Sequence, residues 1–297
     1  MNPLIRSRPL LGTFVEIWGV SDDRAGLIWA MNEAFDRIGH VQRLASYHDR
    51  DSELSAINRL RPGERVKIDP LTYDLLQGVD RLYRESGGLF DPTSAGRLLR
   101  HGFHSGVGEL NVEVPYGTWE AIELCGELTV RVHEPLRIDL SGIAKGYAVD
   151  CAFDVMARRG IETFCVNAGG DLRLRSPGAL PVALRHPLFP TLTAETIELS
   201  EGAVATSAGY FNTIIDEAGE KRIPLYNPLT HRTGIALRSA TVIASECMIA
   251  DALTKVVHAD PDRAETIVRN LGARYVLLSG EGNDVQTRCS GGIRIAM

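Results

Sequence analysis

The sequence predicts an α+β fold in a single domain over residues 1–297, and three observations carry that prediction. Short alternating runs that suit strands are mixed with helix-spaced apolar residues along the whole length. No repeat, composition shift or Gly/Pro/Ser-rich linker divides the chain. With 297 residues and 44% hydrophobic content it can bury a large core, as one body or as two lobes.

Residues 11–19 alternate as an N-terminal strand, and Ala30, Ala34, Ile38 and Val41 recur at helical spacing within 23–44. Ser52 is placed to N-cap a short helix, with Ser55 as the alternative; read locally, the polar residues of 47–58 are caps and a solvated face. Residues 70–86 form an amphipathic helix through Leu71, Leu75, Leu76, Val79 and Leu82, stopped at Gly87 and Gly88. Asp91 precedes Pro92 in a turn signature, where the ordinary task of the carboxylate is to hold the turn. Residues 105–135 read as loop and β-rich connection. Residues 128–133 and 136–140 alternate like paired strands. A helix follows over 144–159, closed by Gly160. Residues 164–168 read as a buried strand continued from Leu172, 196–199 and 204–207 as two strands about Gly202, and 209–216 as another. A polar loop at 227–234 precedes a strand at 240–244, helices at 248–258 and 260–271, and last strands at 273–278 and 292–296.

A net charge of -6 and a pI near 5.8, without a basic stripe, argue against nucleic acid and anionic membrane as partners. The five cysteines (Cys125, Cys151, Cys165, Cys247, Cys289) are odd in number and never in a C-x-x-C pair, so neither zinc nor a disulfide framework is indicated. Most of them read as small core residues in a reducing compartment. No apolar run reaches the length of a membrane span. The first residues resemble neither a signal peptide nor a lipobox, so the chain as written is expected in the cytoplasm.

The chemistry points to residues 138–150, Ile-Asp-Leu-Ser-Gly-Ile-Ala-Lys-Gly-Tyr-Ala-Val-Asp, read as strand, Gly turn and helix. A helix N-terminus presents N–H groups and a partial positive charge, which suits phosphate, and Lys145 in its first turn adds a full charge. On its own the pattern is equally a plain turn before a helix.

Several segments appear in a fixed order: Pro9-Leu-Leu-Gly12-Thr13, Ser52-Glu-Leu-Ser-Ala-Ile-Asn58, Gly88-Leu-Phe-Asp91-Pro-Thr93 and Asp139-Leu-Ser-Gly-Ile-Ala-Lys145-Gly-Tyr-Ala-Val-Asp150. Asn167-Ala-Gly-Gly-Asp171, Ala205-Thr-Ser207 and Ala250-Asp-Ala-Leu253 follow. Together they resemble the ApbE family, the FAD:protein FMN transferases. The resemblance implies a T-fold-like α+β architecture of two lobes with FAD in the cleft between them. It also implies Mg²⁺ at the diphosphate, and transfer of FMN to a Thr or Ser of an acceptor flavoprotein with release of AMP. Carried over, Tyr47 and Leu89, Phe90 and Asp91 would contact the flavin or adenine end, with Leu11 in the place of the Met in the opening motif. Lys145 would meet the phosphates, and Asp171 and Thr206 would lie on the cleft wall. Asp251 would be catalytic as the metal ligand, joined by Thr254 and by the carbonyl of Gly142.

Three departures from the family pattern bear on activity. The metal helix of the family reads Asp-Ala-x-x-Thr, whereas here Thr254 stands third after Asp251 and Lys255 fourth. Both positions can lie on one helical face with Asp251, but a protonated lysine has no lone pair for a metal. Such a lysine could replace the ion's charge, or pair with Asp251 and displace it. Pro224 stands where the family has a candidate-base His, and Asn227 where it has an Asp. The segment after Pro228 is longer and contains His231, a replacement base or a solvent-facing loop residue. The sequence thus supports FMN transfer, with Mg²⁺-dependent FAD hydrolysis to FMN and AMP, or FAD binding without turnover, as alternatives.

Overall fold

The computed structural model describes residues 2–94, 117–209, 214–215, 219, 221–235, 238–281, 284–290 and 295–296. A hairpin of β1 (Leu4–Leu10) and β2 (Thr13–Val20) leads into α1 (Arg24–Ala45), capped by Asp23 on the Gly26 N–H. Then come α2 (Glu53–Ile57), β3 (Arg65–Lys67), α3 (Pro70–Glu85), β4 (Ile122–Cys125) and β5 (Thr129–Val132). Ser52 caps α2, and Asp69 with Pro70 opens α3, the sequence signature of a helix start. The chain continues through α4 (Ala144–Arg158), β6 (Thr163–Ala168), β7 (Asp171–Arg185), β8 (Thr193–Ala208), β9 (Ile214–Ile215), β10 (Lys221–Asn227) and β11 (Arg232–Ile235). It ends with β12 (Arg238–Ala244), α5 (Cys247–Ala259), α6 (Pro261–Asn270), β13 (Arg274–Glu281), β14 (Asp284–Cys289) and β15 (Ile295–Ala296).

Among the described residues nine strands build one antiparallel sheet in the order β1-β2-β6-β7-β8-β12-β13-β14, with β15 on β8. Two three-stranded sheets, β11-β10-β9 and β3-β5-β4, stand apart from it. Strand alternation divides the residues between two faces. On β6, Phe164, Val166 and Ala168 face the core shared with the helices, while Cys165 joins a smaller apolar cluster behind the sheet with Leu174, Val204 and Val276. Where α5 crosses β8 and β12, the inward positions are mostly small: Ala203, Ala205, Ala240 and Ala244, with Val242 the larger exception. A helix can approach a sheet closely only where most side chains are small. The α+β expectation agrees with this layered arrangement. Among the described residues no helix is long and apolar enough to cross a membrane.

Several expected elements differ. β1 and β14 add strands outside the predicted ones, and residues 196–207 form one strand rather than two. The expected loop at 227–234 is mostly the β10–β11 hairpin, with Asn227 Oδ1 accepting from the N–H groups of Leu229 (2.9 Å) and Thr230 (3.0 Å) at its turn. Its register shifts between Ile223 and Tyr226, around Pro224, which cannot donate to a ladder. Residues 136–140 form no strand and join no sheet. Their backbone groups are taken instead by Asn58, which donates to the Ile138 carbonyl (2.9 Å) and accepts from its N–H (2.8 Å). The Asp139 N–H donates to the Pro92 carbonyl (2.9 Å). Of the expected segments at 105–135, 209–216 and 292–296, residues 105–116, 210–213, 216 and 292–294 lie outside the described residues.

Candidate functional site

Helices α4 and α5 pack against each other near their N-termini, and neither has a capping side chain of its own. Each borrows one from the other. Asp150 on α4 accepts from the N–H groups of Cys247 and Met248 at the start of α5, both at 2.8 Å, and from Arg173 Nη1 at 2.8 Å. Asp251 on α5 accepts from the Gly146 N–H on α4 at 3.1 Å. Orphan N–H groups and the helix dipole favour a carboxylate at both places. The crossing is tight enough to require glycine at 146: a Cβ there would lie 2.3 Å from the Cys247 carbonyl oxygen.

Two ion pairs flank this crossing. Lys145 Nζ donates to Asp171 Oδ2, while Asp171 Oδ1 accepts from the Thr206 N–H at 3.2 Å. Lys255 Nζ donates to Asp251 Oδ1 and to the Asp251 main-chain carbonyl at 3.0 Å. Both carboxylates are 2% exposed, whereas the Lys145 and Lys255 side chains are 30% and 21% exposed. The acids are therefore buried behind the ammonium groups. Burial alone would raise the Asp251 carboxyl, but Lys255 and Lys145 outweigh it and hold it below the usual range. For Asp171, burial and the Asp251 charge win over the two lysines, and its carboxyl is raised. Burial opposes the charge on Lys145, yet Asp171 and Asp251 keep it firmly protonated. Asp150 is pushed up to about 6 by burial, against Arg173 and the two amide donors.

Two cavities meet at this cluster and share Asp139 and Ser141 in their walls. The larger, about 380 Å³, reaches from Leu11 and Tyr47 to Lys145. The smaller, about 150 Å³, is lined by Leu89, Phe90, Asp91, Gly142, Tyr226 and Lys255. Leu11 and Gly12 form the two-residue turn of the β1–β2 hairpin with φ of 56° and 70°. That conformation is costly for leucine and is held by Gln42 Oε1, which accepts from the Leu11 N–H at 2.6 Å. Asp91 Oδ1 holds its own turn, accepting from the Thr93 N–H (2.9 Å) and hydroxyl (2.7 Å). The Tyr47 phenol is raised chiefly by burial, against the Arg137 charge beside it.

The structure brings Leu11, Tyr47, Leu89, Phe90, Asp91, Gly142, Lys145, Asp171, Thr206 and Asp251 to the two cavities or the ion pairs between them. Thr206 contributes its N–H; its hydroxyl pairs with that of Thr241 at 2.9 Å. Thr254 is fully buried, donating to the Asp251 carbonyl (2.7 Å) and so accepting from the Ser207 hydroxyl (2.6 Å). His231 is exposed at the β10–β11 turn with a φ of 59°, its Nδ1 sharing a hydrogen bond with the Tyr226 hydroxyl (2.7 Å). Among the described residues its link to the site runs through Tyr226.

Mg²⁺ requires oxygen donors at about 2.0–2.1 Å in near-octahedral geometry. Asp251 offers one oxygen already facing an ammonium and one facing an amide N–H, and Thr254 is turned inward. Lys255 also runs against Gly142, whose ideal Cβ would lie 3.2 Å from Lys255 Cε. In this arrangement Gly142, Asp251 and Thr254 do not fit a divalent ion. Among the described residues no group of three His, Cys, Asp or Glu side chains is placed to hold one. Sequence reasoning missed Asn58, Gly146, Asp150, Tyr226 and Ser207. All but Tyr226 stand inside the motifs quoted above, but their partners are distant in sequence.

The ApbE family profile matches residues 11–277. The chain is similar to an FAD:protein FMN transferase of Vibrio cholerae serotype O1, 27% identical over 267 residues, covering 83% of this chain and 78% of that one. A second FAD:protein FMN transferase, from Chlamydia pneumoniae, is 26% identical over 273 residues, covering 84% and 80%. Among solved structures, the ApbE protein of Thermotoga maritima superposes with a TM-score of 0.82 at 27% identity, covering 96% of both chains. The flavin transferase ApbE of Vibrio cholerae gives 0.80 at 23%, covering 98% and 97%, a likeness of fold.

Proposed function

The chain belongs to the ApbE family, and on that premise we propose that it is an FAD:protein FMN transferase. It moves FMN from FAD to a Thr or Ser hydroxyl of an acceptor flavoprotein and releases AMP. The observation that carries this reading is the pair of cavities meeting at Asp139 and Ser141, with Lys145 on one side and Lys255 on the other. FAD laid across that ridge places its two ends in the two cavities and its diphosphate between the lysines.

The chemistry asks for little else. The acceptor oxygen attacks the phosphorus on the flavin side, the bond from that phosphorus to the bridging oxygen breaks, and AMP leaves with that oxygen. Lys145 and Lys255, held by Asp171 and Asp251, offset the charge that builds on the phosphate oxygens. The acceptor's proton passes to the Tyr226 oxygen while Tyr226 gives its own to His231 Nδ1, the group already bonded to it. Magnesium, expected from the resemblance, has no step in this scheme, because Lys255 stands at Asp251.

The test is AMP release from FAD by the purified protein, with and without a threonine-motif acceptor domain, reading acceptor mass and in-gel flavin fluorescence. Release together with a flavinylated acceptor is the expected result. Release into free FMN alone would assign hydrolysis instead, and FAD binding without release would assign a carrier.

A further inference from the structure

We infer that Lys255 takes the place of a divalent cation at the FAD diphosphate, so that this chain binds its nucleotide without one. The inference rests on the transferase reading for the identity of the ligand, and on the geometry of α5 for the rest. Lys255 lies one helical turn after Asp251 and spans two of its oxygens, the carboxylate Oδ1 and the main-chain carbonyl. An ammonium has three N–H donors. Two are used on Asp251, and among the described residues no acceptor takes the third, while Lys255 lines the smaller cavity.

Three further observations favour ammonium over metal. The second Asp251 oxygen is engaged by the Gly146 N–H, so both oxygens of the carboxylate already have donors that a divalent ion would have to compete with. Thr254, the nearest hydroxyl on that face of α5, is fully buried and bonded to the Asp251 carbonyl and Ser207. Gly142 lacks a side chain where the Lys255 stem passes, leaving the lysine room to lie across the turn before α4. Charge supports the same conclusion. Each lysine is balanced by one buried carboxylate, but the ammonium ends face the cavities and the carboxylates do not. A diphosphate at the wall the two cavities share is therefore flanked by Lys145 and Lys255, whose charges offset that of Asp139 in the same wall.

The experiment measures FAD binding by flavin fluorescence and Mn²⁺ binding by electron paramagnetic resonance, on the full chain. Wild type is expected to bind FAD equally in EDTA and in excess Mg²⁺, and to hold no Mn²⁺ at Asp251. Lys255→Met is expected to weaken FAD about tenfold or more, the loss of a charge-assisted hydrogen bond. Lys255→Thr, which places a hydroxyl four residues after Asp251, is expected to gain Mn²⁺ binding and to bind FAD only with a divalent ion. The inference is overturned if wild type needs Mg²⁺ to bind FAD, or holds Mn²⁺ in a manner abolished by Asp251→Asn. Either result leaves the transferase reading standing. Failure to bind FAD under both conditions would overturn the two together. The wild-type arms decide the question even if a variant fails to fold.

Discussion

Helices α4 and α5 exchange carboxylates, and the two exchanged groups have opposite surroundings. Asp150 is met by two amide N–H groups and by Arg173, all at 2.8 Å, and its Arg173 partner lies over the Phe153 ring. It is spent on structure. Asp251 meets one amide at 3.1 Å and gives its other oxygen to Lys255, whose side chain reaches a cavity. The same carboxylate-on-helix motif is thus a fastening at one end of the crossing and a support for a working cation at the other. What separates them is the partner: a packed guanidinium in the first case, a part-exposed ammonium in the second.

Removing each carboxylate sharpens the contrast. Asp150→Ala should cost about 4 kcal/mol of stability in urea unfolding, because it strands Arg173 and two helix N–H groups. A loss under about 1 kcal/mol would mean that the fastening is not structural. Gly146→Ala should cost about 3 kcal/mol and disturb both ends together, since the new methyl meets the Cys247 carbonyl and the Asp251 Cβ. Wild-type melting of that variant would show that the helices separate easily. Asp251→Asn should cost only about 1–2 kcal/mol, as Lys255 can turn to water. Its AMP release, however, should fall roughly a hundredfold through loss of a positioned cation. Retention of normal release would remove Asp251 from the site. The smallest structural effect is expected at His231. His231→Gln should change stability by less than about 0.5 kcal/mol, yet lower transfer by roughly a hundredfold. Unchanged transfer would exclude it as the proton acceptor.

Much of this was legible in the chain because the signals are local. The Ser52 cap, the helix at 70–86 and the turn and helix around Lys145 all depend on neighbours within a few residues. The misread parts depend on distant partners. Residues 136–140 alternate like a strand, but Asn58, eighty positions away, takes the Ile138 backbone pair. β1 was hidden by its polar run Arg6-Ser7-Arg8 and by Pro9, which suit an edge strand hydrogen-bonded on one side only. The part of the hairpin at 227–234 reads as loop because most of its residues are polar, and the register of the strand before it shifts around a proline. At the site, the spacing of Thr254 and Lys255 from Asp251 raised the choice between metal and ammonium, and the geometry of three chain segments favours the ammonium.

The most direct measurement is the affinity of FAD and of riboflavin for wild type, Lys145→Met and Lys255→Met, in the same titration. The account predicts that each methionine variant loses FAD about tenfold or more while riboflavin, which has no diphosphate, binds as before. Unchanged FAD affinity in both variants would contradict the claim that the paired lysines receive the diphosphate.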